Sequence, residues 1–214
     1  MDDREQVLRK VKEAFAETAG VEEAKGLVAE ALVVASPLDV VHKMREGLEV
    51  VGKKYEDGEL FLSELIMAGL MATEVVGMLK PQLQAMGERS KGKVAIGTVK
   101  GDIHDIGKTI LGMMLTSAGF EVEDLGVDVP VEKFVDAVRE KKPSILGMSC
   151  LLTIGMDELG KVVAKLEKEG LRRRVKVLVG GRPLTPEFAA SIGADGYAKD
   201  AVEAIRVAEQ LVRR

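Results

Sequence analysis

The sequence predicts two domains, a helical bundle over residues 1–88 and an α/β domain with a parallel sheet over residues 89–214. The first assignment rests on apolar residues that recur every three or four positions, which is the period of an amphipathic helix. The second rests on short β-branched runs that alternate with helical stretches, which is typical of a parallel sheet covered on both faces. The polar, glycine-containing segment 87–93 is the predicted linker.

Four helices are predicted before the linker, and local signals set their ends. Ser36 suits the N-cap of the third helix, Pro37 its first position, and Asp39 its first turn. Pro81 is expected to end or kink the fourth helix because proline has no backbone N–H to donate. Short connections favour an antiparallel bundle. The expected helices cover residues 4–18, 21–34, 37–55 and 60–80.

The fourth helix is apolar nearly all round, which leaves two interpretations open. It is either the central helix of the bundle, or a helix that packs on one flank and turns the other toward a large apolar ligand. In the second interpretation, Met67 and Met71 contact that ligand, because they lie four residues apart and have flexible thioether side chains.

The second half alternates strands and helices, which predicts a flavodoxin-like (Rossmann-like) doubly wound sheet of five strands. Such sheets bind ligands at the carboxyl ends of their strands. Three predicted strand ends are polar or glycine-rich: the loop with His104, residues 149–151 with Thr153 nearby, and the pair Gly180 and Gly181. The predicted strands cover 94–99, 121–126, 144–149, 175–180 and 195–198, and the predicted helices cover 106–118, 131–141, 156–169, 186–192 and 201–212.

Composition and charge disfavour several classes of function. A net charge of −4 argues against a nucleic-acid partner, and the basic cluster Arg172–Arg174 is interpreted as a solvated turn. The single cysteine, Cys150, cannot form an internal disulfide and fits a reducing compartment. The polar first residues do not resemble a secretory signal, and no apolar run is expected to approach the roughly 20 residues of a membrane span. The expected location is the cytoplasm, with no membrane partner.

The chemistry of the α/β domain is concentrated in residues 101–108, which read GDIHDIGK. Here His104 stands between Asp102 and Asp105 in a loop that follows a predicted strand. A phosphate-binding P-loop is disfavoured because five residues, not four, separate the two glycines of the segment. The two carboxylates would also repel a polyphosphate.

A phosphoacceptor site and a zinc site are also possible on this fold, and the sequence disfavours both. A phosphoacceptor receiver domain would place an aspartate at the end of the third strand, where this chain has Ser149. A closed zinc site is disfavoured because two histidines and one cysteine cannot complete it without several carboxylates.

Three motifs fall at strand ends of the predicted sheet. They are D-x-H-x-x-G at Asp102, His104 and Gly107, S-x-L at Ser149 and Leu151, and G-G at Gly180 and Gly181. This combination resembles the cobalamin-binding family, over nearly the whole chain, and the helical part resembles the cap domain of its methyl-carrying branch. The chain is similar to the corrinoid proteins of methylamine, methanol, methoxyarene and betaine methyltransferase systems, and to the cobalamin module of methionine synthase.

The resemblance implies a role for each motif. His104 is implied to be the lower axial ligand of cobalt in place of the cofactor's own base, with Asp102 accepting its second ring N–H and Ser149 extending the relay. The motif glycines are implied to leave a slot for the displaced nucleotide tail. The residues expected to contact the cofactor are Gly101, Asp102, Ile103, His104, Asp105, Gly107, Ser149, Leu151, Thr153, Gly180, Gly181, Ala198, Met67 and Met71.

The implied function is that of a methyl carrier that binds cobalamin, as methylcobalamin in its loaded form. Its implied partners are a substrate:corrinoid methyltransferase, a second methyltransferase acting on a folate or a thiol, and a reductive activating protein. The chain alone is not expected to be catalytic, and the methyl donor stays open because that specificity belongs to a partner. The alternative is a cobalamin storage, delivery or sensing protein without methyl turnover.

Overall fold

The computed structural model describes residues 3–85 and 90–213. The chain divides into two units, residues 1–89 with 116–118, and residues 90–115 with 119–214. The predicted boundary between residues 88 and 89, and part of the predicted linker 87–93, fall on residues 86–89, which lie outside the described residues.

Within residues 3–85, four α-helices form the first unit. Each contributes an apolar stripe to one core, in which Phe15, Val28 and Met44 are fully buried. Gly47 allows the first and third helices to approach closely, since a Cβ there would lie 2.6 Å from the carbonyl oxygen of Lys12. The helices are α1 (Asp3–Ala16), α2 (Val21–Val34), α3 (Pro37–Glu56) and α4 (Leu62–Ala85).

Helix α3 begins with the capping arrangement that its sequence predicts. The Ser36 hydroxyl accepts the Asp39 N–H at 3.2 Å, and the Asp39 carboxylate accepts the Ser36 N–H at 3.0 Å. The same carboxylate forms an ion pair with Arg4 at 2.9 Å. Hydrogen bonds from Ser36 and from Arg4 lower the pKa of Asp39 from 3.8 to about 2.

Replacing Ser36 by alanine is expected to destabilise the helical unit by about 1 kcal/mol, the usual value of an N-cap. Because the pKa of Asp39 is lower in the folded state, its stabilisation is complete above about pH 4 and is lost as the pH falls toward 2. Thermal unfolding of the full chain between pH 2 and pH 7 measures both effects. The Asp39→Asn variant is the control, and a wild-type protein that loses stability in parallel with this variant below pH 4 would contradict the assignment.

Helix α4 does not end at Pro81 but continues through it to Ala85. A proline removes one hydrogen bond from a helix, yet its fixed φ is compatible with helical geometry. The apolar stripe extends past the proline, because Leu79 is fully buried and Leu83 packs against the bundle core. This packing compensates for the missing hydrogen bond. The expected end of the fourth helix at Pro81 is therefore wrong, whereas a kink there stays a prediction.

The segment Leu62–Leu83 of α4 is long and apolar enough to cross a membrane, with a mean hydropathy of 1.6. The expectation that no such run exists is therefore wrong. By itself this property is weak evidence for a membrane span, because the core helix of a bundle has the same composition. Much of the apolar character of α4 belongs to the stripe that is buried in the bundle: Leu65, Ala68, Met71, Ala72, Val75 and Leu79.

The two methionines singled out on α4 lie in different environments. Met71 is fully buried in the core cluster of the helical unit, whereas Met67 is 38% exposed. The expectation that both side chains turn toward a ligand is therefore wrong for Met71, which fills volume between the helices. The offset of about 40° between positions four apart on a helix is enough to separate a core position from a surface position.

Within residues 90–213, the elements are β1 (Lys93–Thr98), α5 (Ile106–Ser117), β2 (Glu121–Asp124), α6 (Val131–Lys141), β3 (Ile145–Ser149), α7 (Met156–Lys168), β4 (Lys176–Gly180), α8 (Pro186–Ser191), β5 (Gly196–Ala198) and α9 (Ala201–Arg213). The five strands are parallel and form one sheet in the order β2-β1-β3-β4-β5, which is the order of the flavodoxin-like fold that the sequence predicts. Gly97 allows the helix after β2 to pack on β1, since a Cβ there would lie 2.8 Å from the Phe134 ring. Two short 3₁₀ helices, Thr153–Gly155 and Arg172–Arg174, were not expected.

The register of the sheet brings four strand ends side by side. Thr98 pairs with Ser149, Ser149 with Gly180, and Gly180 with Ala198. The carboxyl edge of the sheet therefore presents two hydroxyl residues next to two residues with little or no side chain. The loops that leave these ends form the candidate site.

Candidate functional site

The loop between β1 and α5 holds His104 against Asp102. The His104 Nδ1 lies 2.6 Å from Asp102 Oδ1, and the same oxygen accepts the His104 backbone N–H at 3.0 Å. The Asp102 side chain is fully buried, whereas the His104 side chain is 50% exposed. Because the carboxylate accepts a hydrogen bond from Nδ1–H, the imidazole is held as the tautomer whose Nε2 lone pair is available to a ligand.

The second oxygen of Asp102 accepts hydrogen bonds from the main chain of the next loop. Its partners are the backbone N–H of Leu151 at 2.5 Å and that of Leu152 at 3.3 Å. Burial by itself would raise the pKa of Asp102, but the hydrogen bonds from His104 and Leu151 outweigh it, so this pKa lies below its usual value. Asp102 is thus an ionised, fully buried acceptor that fixes the orientation of His104.

Replacing Asp102 by asparagine is expected to lower the free energy of unfolding by about 2 kcal/mol, because a buried donor would be left without a partner. One carboxylate oxygen of Asp102 accepts the backbone N–H of His104, and the other accepts that of Leu151. In either orientation, the asparagine side chain would therefore place its NH₂ group against a backbone N–H, and neither donor would have an acceptor. Urea unfolding of the cofactor-free protein measures this loss. The control is Asp105→Asn, since Asp105 is exposed in the same loop; equal stability of the two variants would contradict the prediction.

Two residues that the sequence analysis missed hold the loop in place. The Thr98 hydroxyl donates to the His104 carbonyl oxygen at 2.9 Å. Asp128 accepts the Gly101 N–H at 2.7 Å, and its own N–H donates to the Asp102 carbonyl oxygen at 2.9 Å. A polar residue inside an otherwise apolar strand was the available signal for Thr98, whereas no local pattern pointed to Asp128.

A cleft with a cavity volume of about 150 Å³ opens at the same edge of the sheet. Its inner wall consists of glycines and apolar side chains, among them Ile96, Leu111 and Leu178. Six residues singled out in the sequence lie along it: Gly107, Ser149, Leu151, Gly180, Gly181 and Ala198.

Models of protein families match both parts of the chain. A B12 binding domain model matches residues 92–206, and a second B12 binding domain model matches residues 3–80. The chain belongs to the B12-binding family of corrinoid proteins. The resemblance that its three motifs indicate is therefore confirmed, as is the fold class.

Individual relatives of this corrinoid protein support the same assignment. It is 40% identical over 220 residues to dimethylamine corrinoid protein 2 of Methanosarcina acetivorans, with 99% of each chain covered. It matches the structure of a cobalamin-binding protein from Desulfitobacterium hafniense with a TM-score of 0.81 and 33% identity, covering 95% of this chain and 98% of that chain. It matches the methanol:cobalamin methyltransferase complex of Methanosarcina barkeri with a TM-score of 0.83 and 26% identity, covering 97% and 80% of the two chains.

The described residues fit a corrinoid whose own base is displaced by a protein imidazole. The half-exposed His104 offers a nitrogen donor, and the cleft beside it offers an apolar slot for the displaced base. A side chain at Gly180 would close part of this slot, since its Cβ would lie 2.9 Å from the Ala198 carbonyl oxygen. Exposed apolar side chains are available to cover a macrocycle in the segments that follow β1 and β3: Ile103, Ile106, Leu151 and Ile154.

The relay beyond Asp102 differs from the expected one. Among the described residues, the hydrogen-bond partners of the Asp102 carboxylate are His104, Leu151 and Leu152, and Ser149 is not one of them. Ser149 lies instead along the cleft. The register explains the difference, because Ser149 faces Thr98 across the strand ends and the main chain after it turns toward Asp102.

The remaining predicted residues divide between the two units. Gly101, Ile103, Asp105 and Thr153 are exposed in the loops after β1 and β3. Met67 and Met71 lie in the helical unit. Contact of these residues with a corrinoid remains a prediction, except for Met71, which is buried in the core of the helical unit.

Cys150 packs beneath the second loop. It is fully buried, and its Sγ lies 3.1 Å from the Leu152 carbonyl oxygen. Burial raises the pKa of the Cys150 thiol, which keeps it protonated at neutral pH. The structure therefore favours a packing role for Cys150 over contact with a corrinoid.

Proposed function

We propose that this corrinoid protein carries methyl groups on a cobalamin whose cobalt His104 would hold. The observation that carries the proposal is the His104–Asp102 pair, 2.6 Å apart, at the edge of an apolar cleft. A histidine that binds a metal commonly donates its other ring N–H to a carboxylate, which fixes the tautomer and strengthens the ligand.

Each residue of the site has a task that its surroundings support. When bound, the corrinoid supplies the cobalt that accepts a methyl group from one partner and gives it to the next. His104 would hold the metal through Nε2, and Asp102 keeps the Nδ1 proton in place. The apolar side chains of Ile103, Ile106 and Ile154 would exclude water around the imidazole.

We infer the partners from the relatives. The first is a dimethylamine:corrinoid methyltransferase, because identity to the dimethylamine corrinoid protein is 40% over 99% of both chains. The second is a methyltransferase that delivers the methyl group to a thiol or a folate. A reductive activating protein would return oxidised cobalt to its reactive form.

A reconstituted transfer assay tests the proposal. The protein is loaded with cobalamin, reduced, and mixed with a dimethylamine methyltransferase and isotope-labelled dimethylamine. We expect one equivalent of monomethylamine per bound corrinoid, and label in the methyl product once a thiol or folate methyltransferase is added. The cofactor-free protein is the control.

Two results would contradict the proposal in different ways. Failure to bind cobalamin would remove it altogether. Tight binding without methyl turnover would favour the alternative role in cobalamin storage or delivery. This result would have to hold with dimethylamine and its methyltransferase, and also with methanol and a methanol methyltransferase.

A further inference from the structure

Two cationic side chains stand along the cleft without a partner. Arg182 follows the glycine pair at the end of β4, and Lys199 follows β5; both line the cleft and both are exposed. Throughout residues 3–85 and 90–213, no carboxylate forms an ion pair with either side chain, and neither donates a hydrogen bond. Their charges are therefore available to a ligand in this cleft.

The other charged residues along the cleft are already engaged. Lys108 is buried and forms an ion pair with Asp124. Asp200 caps helix α9, because its carboxylate accepts the Glu203 N–H at 2.8 Å. Arg182 and Lys199 are thus the cleft-lining cations that remain unpaired within the described residues.

We propose that Arg182 and Lys199 bind the phosphodiester of the cobalamin nucleotide tail and so select corrinoids that carry a complete tail. The inference rests on the proposed function, since it assumes that the tail enters the cleft once His104 has replaced its base.

The two parts of the nucleotide tail, its base and its phosphodiester, need different surroundings. The base is apolar and suits an inner wall that contains Ile96, Leu111 and Leu178. The phosphodiester carries a full negative charge, and moving it into such surroundings without a partner would be costly. It must therefore stay near cations, and Arg182 can meet two phosphate oxygens at once through its planar guanidinium.

Because Arg182 and Lys199 are both exposed, the expected contribution of each to cobalamin affinity is moderate. Exposed charge pairs are weakened by salt, so each cation is expected to contribute up to about tenfold in affinity at low ionic strength, and less as salt is added. The double substitution is expected to weaken binding by about 10- to 100-fold at low ionic strength. The loss is restricted to ligands that carry the phosphodiester.

The test compares two ligands on matched variants of the full chain. The variants are Arg182→Gln, Lys199→Gln and the pair together; the ligands are hydroxocobalamin and diaquocobinamide, which lacks the nucleotide tail. Dissociation constants come from visible-absorption titrations at low and high salt. The control is Arg173→Gln, an exposed arginine that lies in the short 3₁₀ helix before β4 and lines a different cavity.

We expect weaker binding of cobalamin and unchanged binding of cobinamide. The salt dependence of cobalamin binding should fall in each single variant and fall most in the double variant. Equal losses on both ligands, or no loss on cobalamin, would overturn the inference while leaving the role of His104 intact. Failure of the wild-type protein to bind either corrinoid would overturn the proposed function and this inference together. Circular dichroism of each variant confirms that a loss reflects binding and not unfolding.

Discussion

Replacing His104 by alanine is expected to remove the protein nitrogen from the cobalt of bound cobalamin and to weaken binding by at least about tenfold, since a metal–ligand bond is lost. The EPR spectrum of the bound Co(II) should show coupling to one imidazole nitrogen in the wild type and none in the variant. Labelling of histidine with ¹⁵N should change this coupling in the wild type and so assign it to the protein. Added free imidazole should restore the coupling, because the truncated side chain leaves room at a half-exposed position.

The matched control for this experiment is the other histidine of the chain. His42 lies exposed on α3, and its replacement by alanine should leave the spectrum and the affinity unchanged. If the His104→Ala variant kept the wild-type nitrogen coupling, the cobalt would have another ligand and the proposed site would be wrong.

Replacing Gly181 by alanine is expected to destabilise the α/β unit by at least about 3 kcal/mol. The φ of Gly181 is +138°, and a Cβ there would lie 1.8 Å from the Cys150 carbonyl oxygen. Relief of this overlap would have to move the main chain after β3, whose amides bind Asp102. The variant should therefore lose stability and cobalamin binding together, as measured by urea unfolding and by absorption titration.

The Gly126→Ala variant separates the cost of backbone strain from the cost of the close approach to Cys150. Gly126 also has a positive φ, +94°, but a Cβ there would meet no atom within 4 Å. The Gly126→Ala variant should therefore be destabilised only by backbone strain, by about 1 kcal/mol in the free energy of unfolding. Equal destabilisation of the two variants would show that the close approach at Cys150 has no energetic weight.

The sequence predicted the parts of the fold that depend on periodic side-chain patterns. The alternation of strands and helices was enough to predict a doubly wound sheet of five parallel strands, because parallel strands need crossover helices and these follow few topologies. The spacing of Asp102 and His104 predicted their contact, since both side chains belong to one short loop.

What the sequence missed depends on main-chain groups and on tertiary packing. The amides of Leu151 and Leu152 bind Asp102, and backbone donors leave no mark in a side-chain pattern. Ser149 was the nearest hydroxyl in the motif and was wrongly given that task. Similarly, Pro81 and Met71 were interpreted from local rules, whereas burial in the bundle decides both.

The attachment of Asp102 to main-chain amides has a consequence for how the family can diversify. Every residue other than proline supplies the same N–H, so positions 151 and 152 can change identity without disconnecting the carboxylate that orients His104. A substitution of the exposed Leu151 side chain can therefore change the surface that meets a different corrinoid or a different enzyme. The hydrogen bonds that hold Asp102, and through it the orientation of His104, would stay the same.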